Sequence, residues 1–438
     1  MSLSCTRKAG VRRPARSAAS RSKSQYRLCL PLILASIILA SCSGLGLGAW
    51  DIISKNRTAG STSGTEEDGS GGQESSDTAV YTVDTRAVSA MRIRLALNGI
   101  TSDTSVTDFP LLVHLRSGSA VYSYSTSDGG NLAFRDADGY GLPYERESWT
   151  YMGDSYFWVK IRSFSDVSSD YIYVYFLSSP GDCGDHSNAA SVWSNGYAAV
   201  WHGTINGSGI VDSLNRHNGN FTSESQTSGT VPFTLPSNAS DGQIGAGISF
   251  SGGSCGFAAP HADDIDSHSA LAFDCWLRLS SLPSNKDRRI FHKGGEYLVI
   301  DNDDPSMLSL VTVYNKTSYT YSAKSAGAVL SGDSTWHHFA VSWQGGSGSD
   351  KCTFYMDGSP LGSSGEKSAI ADDMTGTYEL LADDSLDIGN LPSGSKGLNG
   401  DMDEIRLSTV SRSDAWMMAS FKNQKDSSAL PETAEAVP

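Results

Sequence analysis

The chain is short of charge, of helical patterning and of catalytic strings. Only 18% of its 438 residues are Asp, Glu, Lys or Arg, and no long stretch shows the i, i+3, i+4 apolar spacing of a helix, so a helical bundle is excluded. Cys-x-x-Cys and His-x₃-His pairs, the usual spacings of zinc sites, do not occur. No nucleophile with a base, no pair of acids across a cleft and no open metal site is legible, and "GGSGS" at 345–349 lacks the strand-to-helix context of a nucleophile elbow. What is present is 45 glycines with frequent Tyr, Val, Ser and Thr, the composition of an all-β protein rich in turns. The length exceeds what one hydrophobic core organises and implies two domains plus unstructured segments.

Basic residues are concentrated at the start. Residues 1–41 carry eight of the 33 Lys and Arg and no acid, leaving 25 basic against 48 acidic side chains beyond them, a formal charge of −23. A surface that acidic repels nucleic acid and anionic lipid. The basic start runs into "LCLPLILASIILASCSG" from Leu28, the order of an export signal. Leu39-Ala40-Ser41-Cys42 resembles the lipobox of bacterial lipoproteins, which implies lipid attachment at Cys42, a mature N-terminus there, and a location in the bacterial cell envelope facing outside the cytoplasm. The apolar stretch continues to Trp50 and is also long enough to serve as an uncleaved anchor. Residues 42–80 are Ser- and Gly-rich and too polar to fold, predicting a flexible stalk. The last residues, 426–438, read as a disordered tail.

Period-two alternation begins at Met91 and predicts strands with one face on a core and one in solvent. Ile93, Leu95 and Leu97 oppose Arg92 and Arg94. Leu111, Val113 and Leu115 oppose His114 and Arg116, and Phe157, Val159 and Ile161 oppose Trp158, Lys160 and Arg162. "YIYVYFLS" from Tyr171 is apolar on both faces, as in a central strand. "FRDADGYGLPYERESW", with "DFPLLVHL" before it and "YIYVYF" and "AAVWH" after it, resembles the bacterial domain of unknown function 2341 over roughly residues 88–200. That likeness implies a β-sandwich in an exported or envelope protein and no activity. Glu145 and Glu147 share a strand face, as a pair of glycosidase carboxylates would; with Arg146 and Arg135 nearby they read instead as salt-bridged surface acids.

Residues 199–425 hold six landmarks in order: "DSLNRHNG" from Asp212, "ISFSGGSCGFAAP", "LAFDCWLRL", "STWHHFAVSWQGG", "CTFYMDGSPLG" and "LNGDMDEIRLSTVSRSDAWMMASF". Together they resemble the laminin-G-like, concanavalin A-like jelly roll, and Ser411 or Ser413 caps a short helix after the last strand. The expected architecture is therefore two β-sandwiches in series: residues 81–198, then the jelly roll. In "MDEIRLS", alternation places Asp403 with Ile405 and Leu407 on the core side, and Glu404 and Arg406 outward. An inward carboxylate needs a partner. The resemblance implies one structural calcium ion at Asp403, with backbone carbonyls near Asp212 and Asn218 as neighbours; the alternative is an Asp that accepts backbone amides. "HADDIDSH" (261–268) and "DNDD" (301–304) lack EF-hand spacing and read as solvated turns.

Cys255, Cys275 and Cys352 all point inward on their strands and read as small buried hydrophobes, with a Cys255–Cys275 bridge as the alternative; the state of Cys183 is left open. His337 and His338 fall on opposite faces of one strand and cannot share an ion. Fold alone assigns no activity. The expected function is a membrane-tethered surface protein, not an enzyme, that binds an extracellular carbohydrate or glycoprotein and no nucleic acid, with Trp149, Tyr151 and Tyr319 as aromatic candidates. A structural scaffold and a cryptic glycoside hydrolase are the alternatives.

Overall fold

A computed structural model of the chain describes residues 81–97, 105–164, 170–207, 209–225, 229–239, 241–265, 268–283, 287–301, 303–314, 319–345, 351–370, 384–425 and 430–438. Cys42, the signal segment and the stalk lie outside the described residues, and among the described residues no helix is long and apolar enough to cross a membrane. The protein is nearly all β, with two short α-helices among the described residues.

The first sandwich packs a five-stranded sheet on a three-stranded one. The larger sheet runs Glu432–Ala436, Val88–Ala96, Tyr171–Leu177, Leu132–Asp136 and Gly141–Leu142; the smaller runs Val106–Leu115, Ser155–Phe164 and Tyr144–Ser148. Alternation fills the space between them: Ile93, Leu95, Leu111, Val113, Phe157 and Val159 are all buried in one cluster. The Tyr171 strand is central, as its two apolar faces predict. Its outer face is a row of tyrosines under guanidinium groups, with Arg92 3.8 Å above Tyr173 and Arg94 4.2 Å above Tyr171.

One member of that sheet was expected to be tail. Glu432–Ala436 pairs antiparallel with Val88–Ala96 in the register Met91↔Ala436 to Leu95↔Glu432. The Glu432 carboxylate also accepts from Ser119 Oγ and the Ala120 amide, each at 2.7 Å. The segment lacks apolar residues because it buries little; an open sheet edge with unpaired amides supplies its reason to order.

Among the described residues the second sandwich is a curled sheet of 14 strands, beside two short two-stranded sheets within 205–210 and 222–232. The fold is made by Ser359–Ile370, whose first residues pair with Lys351–Met356 in one layer and whose remainder pairs with Tyr319–Ser325 in the other. Between the layers lie Phe250, Phe273, Leu277, Leu298, Leu310, Phe354 and Ile388. Cys255, Cys275 and Cys352 are not joined by disulfides and sit in this core. Asn399–Ser408 is the pivotal strand. Ala270–Arg278 pairs along one side of it, while Gly247–Ser251 and then Tyr197–Trp201 share the other.

Where those two partners change over, the strand bulges. Trp276 stands opposite Asp403 but Asp274 stands opposite Arg406, and Glu404 adopts φ +50°. The extra residue overturns the expected facing. Met402, Ile405 and Leu407 share the core side, whereas Asp403 lies with Trp276 on the other face. That other face is not solvent either: Glu404 is 0% and Arg406 1% exposed.

The reason is the junction with the first sandwich. The helix Asp414–Lys425, capped by Ser413 Oγ at the Trp416 amide (3.2 Å), lies against Val106–Leu115. Asn423 satisfies both backbone groups of Leu112, accepting at 2.7 Å and donating at 3.0 Å, and Gln424 accepts from Trp276 Nε1 at 2.8 Å. Trp158 and Lys160, expected on a solvent face, are fully buried in this layer. Alternation is correct there; what covers the second face is the other domain.

Candidate functional site

The junction gathers charged side chains that strand geometry places from three directions. Glu145 and Glu147, two apart on Tyr144–Ser148, project together from the first sandwich. His202 follows Tyr197–Trp201 directly, its ring stacked on Trp158 at 5.6 Å and 14°. Glu404 enters from the bulge of the closing strand.

His202 Nδ1 lies 2.9 and 3.0 Å from the two Glu404 oxygens and 3.8 Å from Glu147 Oε2, while Nε2 lies 3.3 Å from Glu145 Oε2. Trp158 Nε1 donates to Glu147 (2.9 Å) and Trp193 Nε1 to Glu145. Arg406 donates to Glu404 at 2.6 Å, reaches Asp274 at 3.4 Å, and packs on two neighbouring rings, Trp158 (4.5 Å) and Trp193 (5.3 Å).

Burial raises the Glu147 pKa, which reaches about 8 with help from Glu404. Burial disfavours charge on His202, but Glu404, Glu145 and Glu147 outweigh it and hold the imidazole well above its usual value. Glu145 is lowered: burial opposes it, and the His202 charge prevails. Glu145 and Glu147 are therefore not the surface pair expected; Arg146 serves the carbonyls of Asp128 and Gly129, and Arg135 pairs with Asp84. Glu404 and Arg406 could not be found by alternation. His202 had a signal only as the last residue of "VWH".

The residues expected to hold calcium are engaged by amides. Asp403 accepts from the backbone N–H of Ile244 and of Glu404, both at 2.8 Å, and burial, followed by Glu404, raises its pKa well above the usual range. Asp212 accepts from four amides, Val200, Leu214, Arg216 and His217, at 2.8–3.2 Å, which closes the turn. Asn218 accepts from the Asp212 amide at 2.9 Å. Both carboxylates thus have backbone N–H donors as partners.

Other sequence candidates disperse. His337 bonds Asp357 (2.9 Å) and Asp333 (3.2 Å), while His338 lies on the opposite face beside Trp276 and Asp274. Asp264 pairs with His217. Trp149 packs on Tyr122 and Phe157 with its indole N–H on Ser127, so it is no free platform; Tyr151 is 40% exposed, and the side chain of Tyr319 lies outside the described residues. "GGSCG" at 252–256 has the Gly-x-Ser-x-Gly spacing, but it is a turn between two strands, with Ser254 Oγ against Thr234 Oγ1 at 2.7 Å.

An open groove of about 540 Å³ lies on the outer face of the second layer. Alternation builds it: Leu298, Leu310, Tyr321 and Ala323 turn into the core, so Tyr297, Ser309, Ser322 and Lys324 turn out. Asp301 anchors the floor. Its carboxylate accepts from Ser309 Oγ (2.5 Å), Lys324 Nζ (2.9 Å) and the amides of Asp303 and Asp304. The Tyr297 ring is braced by Arg289 at 4.0 Å and by stacking on His292, and Asp287 with Lys396 closes one end. Within "DNDD", Asp301 is buried at the groove and caps the amides of Asp303 and Asp304, while Asp303 itself is exposed.

Comparison with known proteins places this domain. Residues 251–417 match the family model described as Concanavalin A-like lectin/glucanases superfamily. No curated protein matches the chain by sequence. Among solved structures, domain 4 of the GH43 extracellular arabinanase AbnA from Geobacillus stearothermophilus, in complex with arabinotriose, is 15% identical over 48% of this chain and 91% of that one, with a TM-score of 0.34. Trypanosoma rangeli sialidase in complex with the inhibitor DANA is 13% identical over 59% and 41% of the respective chains, TM-score 0.34. The botulinum neurotoxin serotype D binding domain is 10% identical over 54% and 53%, TM-score 0.35. The chain spans about two-fifths of the sialidase and about half of the toxin domain.

Proposed function

We propose that this chain is a membrane-tethered surface protein that binds carbohydrate, free or on a glycoprotein, without turning it over. The observation that carries the reading is the groove around Tyr297, Asp301 and Lys324, on a rigid sheet of a domain that matches a lectin and glucanase superfamily. Fixed acceptors and donors beside one braced aromatic ring suit the hydroxyl-lined, partly apolar faces of a sugar. The charge of −23 beyond residue 41 favours a neutral ligand over a sulfated or phosphorylated polymer. Lipid at Cys42 would supply the tether and residues 42–80 the reach. The resemblance of residues 88–200 to an envelope family agrees with that address. Hydrolysis would need an acid and a base about 5 to 9.5 Å apart across an open groove, whereas Asp287 and Asp301 are tied to Lys396 and Lys324.

A glycan array probed with residues 81–438 tests the reading, run with calcium and with chelator. Binding to neutral oligosaccharides in both conditions is the expected result. Binding only with calcium would move the site to Asp403, silence in both would leave the scaffold, and release of sugar would establish a hydrolase.

A further inference from the structure

The junction presents one imidazole and two carboxylates converging on a point. One ligand atom each from Glu147, His202 and Glu404 lies within 4.8 Å of the others, and the three come from the first sandwich, the segment after Tyr197–Trp201 and the closing strand. We propose that Glu147, His202 and Glu404 bind a single divalent transition-metal ion, of which zinc is the best fit, that pins the two sandwiches together.

Four observations carry this. Bond lengths of about 2.0–2.1 Å put neighbouring ligands of tetrahedral zinc about 3.3 Å apart. The separations of His202 Nδ1 from Glu404 Oε1 (2.9 Å) and from Glu147 Oε2 (3.8 Å) bracket that value. The outer partners are in place as well: Glu145 takes the far nitrogen of His202 at 3.3 Å, Arg406 holds Glu404 Oε2 at 2.6 Å, and Trp158 holds Glu147 at 2.9 Å. A carboxylate on the second imidazole nitrogen is the arrangement that orients a metal-bound histidine. Charge asks for a cation too. Glu145, Glu147, Glu404 and Asp274 meet one guanidinium, that of Arg406, and one imidazole, that of His202, which has to give up its proton to ligate, in a region where the side chains of Glu147, His202 and Glu404 are 9%, 8% and 0% exposed. Buried carboxylates in that excess need compensation. Finally, the loop at Gly245 closes over the site so tightly that a Cβ there would stand 3.3 Å from Glu147 Oε1. The imidazole ligand favours zinc over calcium or magnesium.

The full chain, stripped with chelator and dialysed against zinc sulfate, should retain one zinc per chain by elemental analysis and gain thermal stability. Glu147→Gln and His202→Asn should each weaken zinc binding at least ten-fold. Glu145→Gln, through the outer bond alone, should weaken it by about 10–100-fold, and Asp333→Asn, beside His337, should leave it unchanged. If His202→Asn fails to fold, Glu147→Gln at the edge of the site decides. Absence of stoichiometric zinc, or zinc retained unchanged by Glu147→Gln with its stabilisation intact, overturns the site.

Discussion

Arg406 shows what a single residue contributes at the junction. Its guanidinium is 1% exposed, bonded to Glu404, close to Asp274 and packed on two adjacent indoles. Removing one partner of a buried ion pair costs about 3–5 kcal/mol because the other is left charged and dry. Arg406→Ala should therefore lower stability by about that amount in urea titration; a loss below about 1 kcal/mol would mean that water enters the junction. Asp84 gives the pH counterpart. Burial works against its carboxylate, but bonds from Arg86 and the charge of Arg135 outweigh it and hold the pKa at about 2. That value lies below the unfolded one of about 3.9. The contribution is thus complete above about pH 4 and disappears as pH falls through 2. Asp84→Asn should cost about 1 kcal/mol at pH 7, after allowance for solvent screening, and progressively less as pH falls through 2. A gap independent of pH would contradict this.

At the scale of elements, alternation identified the inner faces of both sandwiches, because Ile93, Leu95, Phe157, Val159 and Phe273 obey the two-residue period that burial on one side imposes. It failed in two places, each for a physical reason. The bulge at Glu404 inserts one residue and reverses the facing of Asp403, and nothing in "DMDEIRLS" marks a residue that will take φ +50°. The Glu432–Ala436 strand is polar because it only completes an edge, so its signal lies in the partner's unpaired amides rather than in its own sequence. Deleting residues 426–438 should accordingly speed amide exchange across Val88–Ala96 and remove the Glu432 contacts to Ser119 and Ala120. Unchanged exchange in that strand would show that the pairing is not formed in solution.

The whole molecule is less divisible than two domains in series. The chain leaves the first sandwich, builds the jelly roll, lays its helix across the smaller sheet and returns to the first sandwich's edge. Residues of both, including Phe109, Trp158, Ala340, Tyr355 and Met417, share one buried cluster. Cooperative burial of this kind predicts one calorimetric transition for residues 81–438; two separated transitions would show that the sandwiches unfold independently. The same coverage explains why the charged junction was illegible. Glu145, Glu147, Glu404 and Arg406 occupy positions that, within either domain alone, face water. The groove was hidden differently: Tyr297, Ser309 and Lys324 are ordinary outward positions on three strands, and only their assembly side by side makes a concavity.

Carbohydrate recognition through that groove, as proposed above, is decided by paired glycan arrays. Residues 81–438 and the variant carrying Tyr297→Ala with Lys324→Ala, both folded by circular dichroism, are to be compared on the same array. The expected result is oligosaccharide binding by the parent protein that the double variant loses. Identical binding profiles for the two proteins would contradict it.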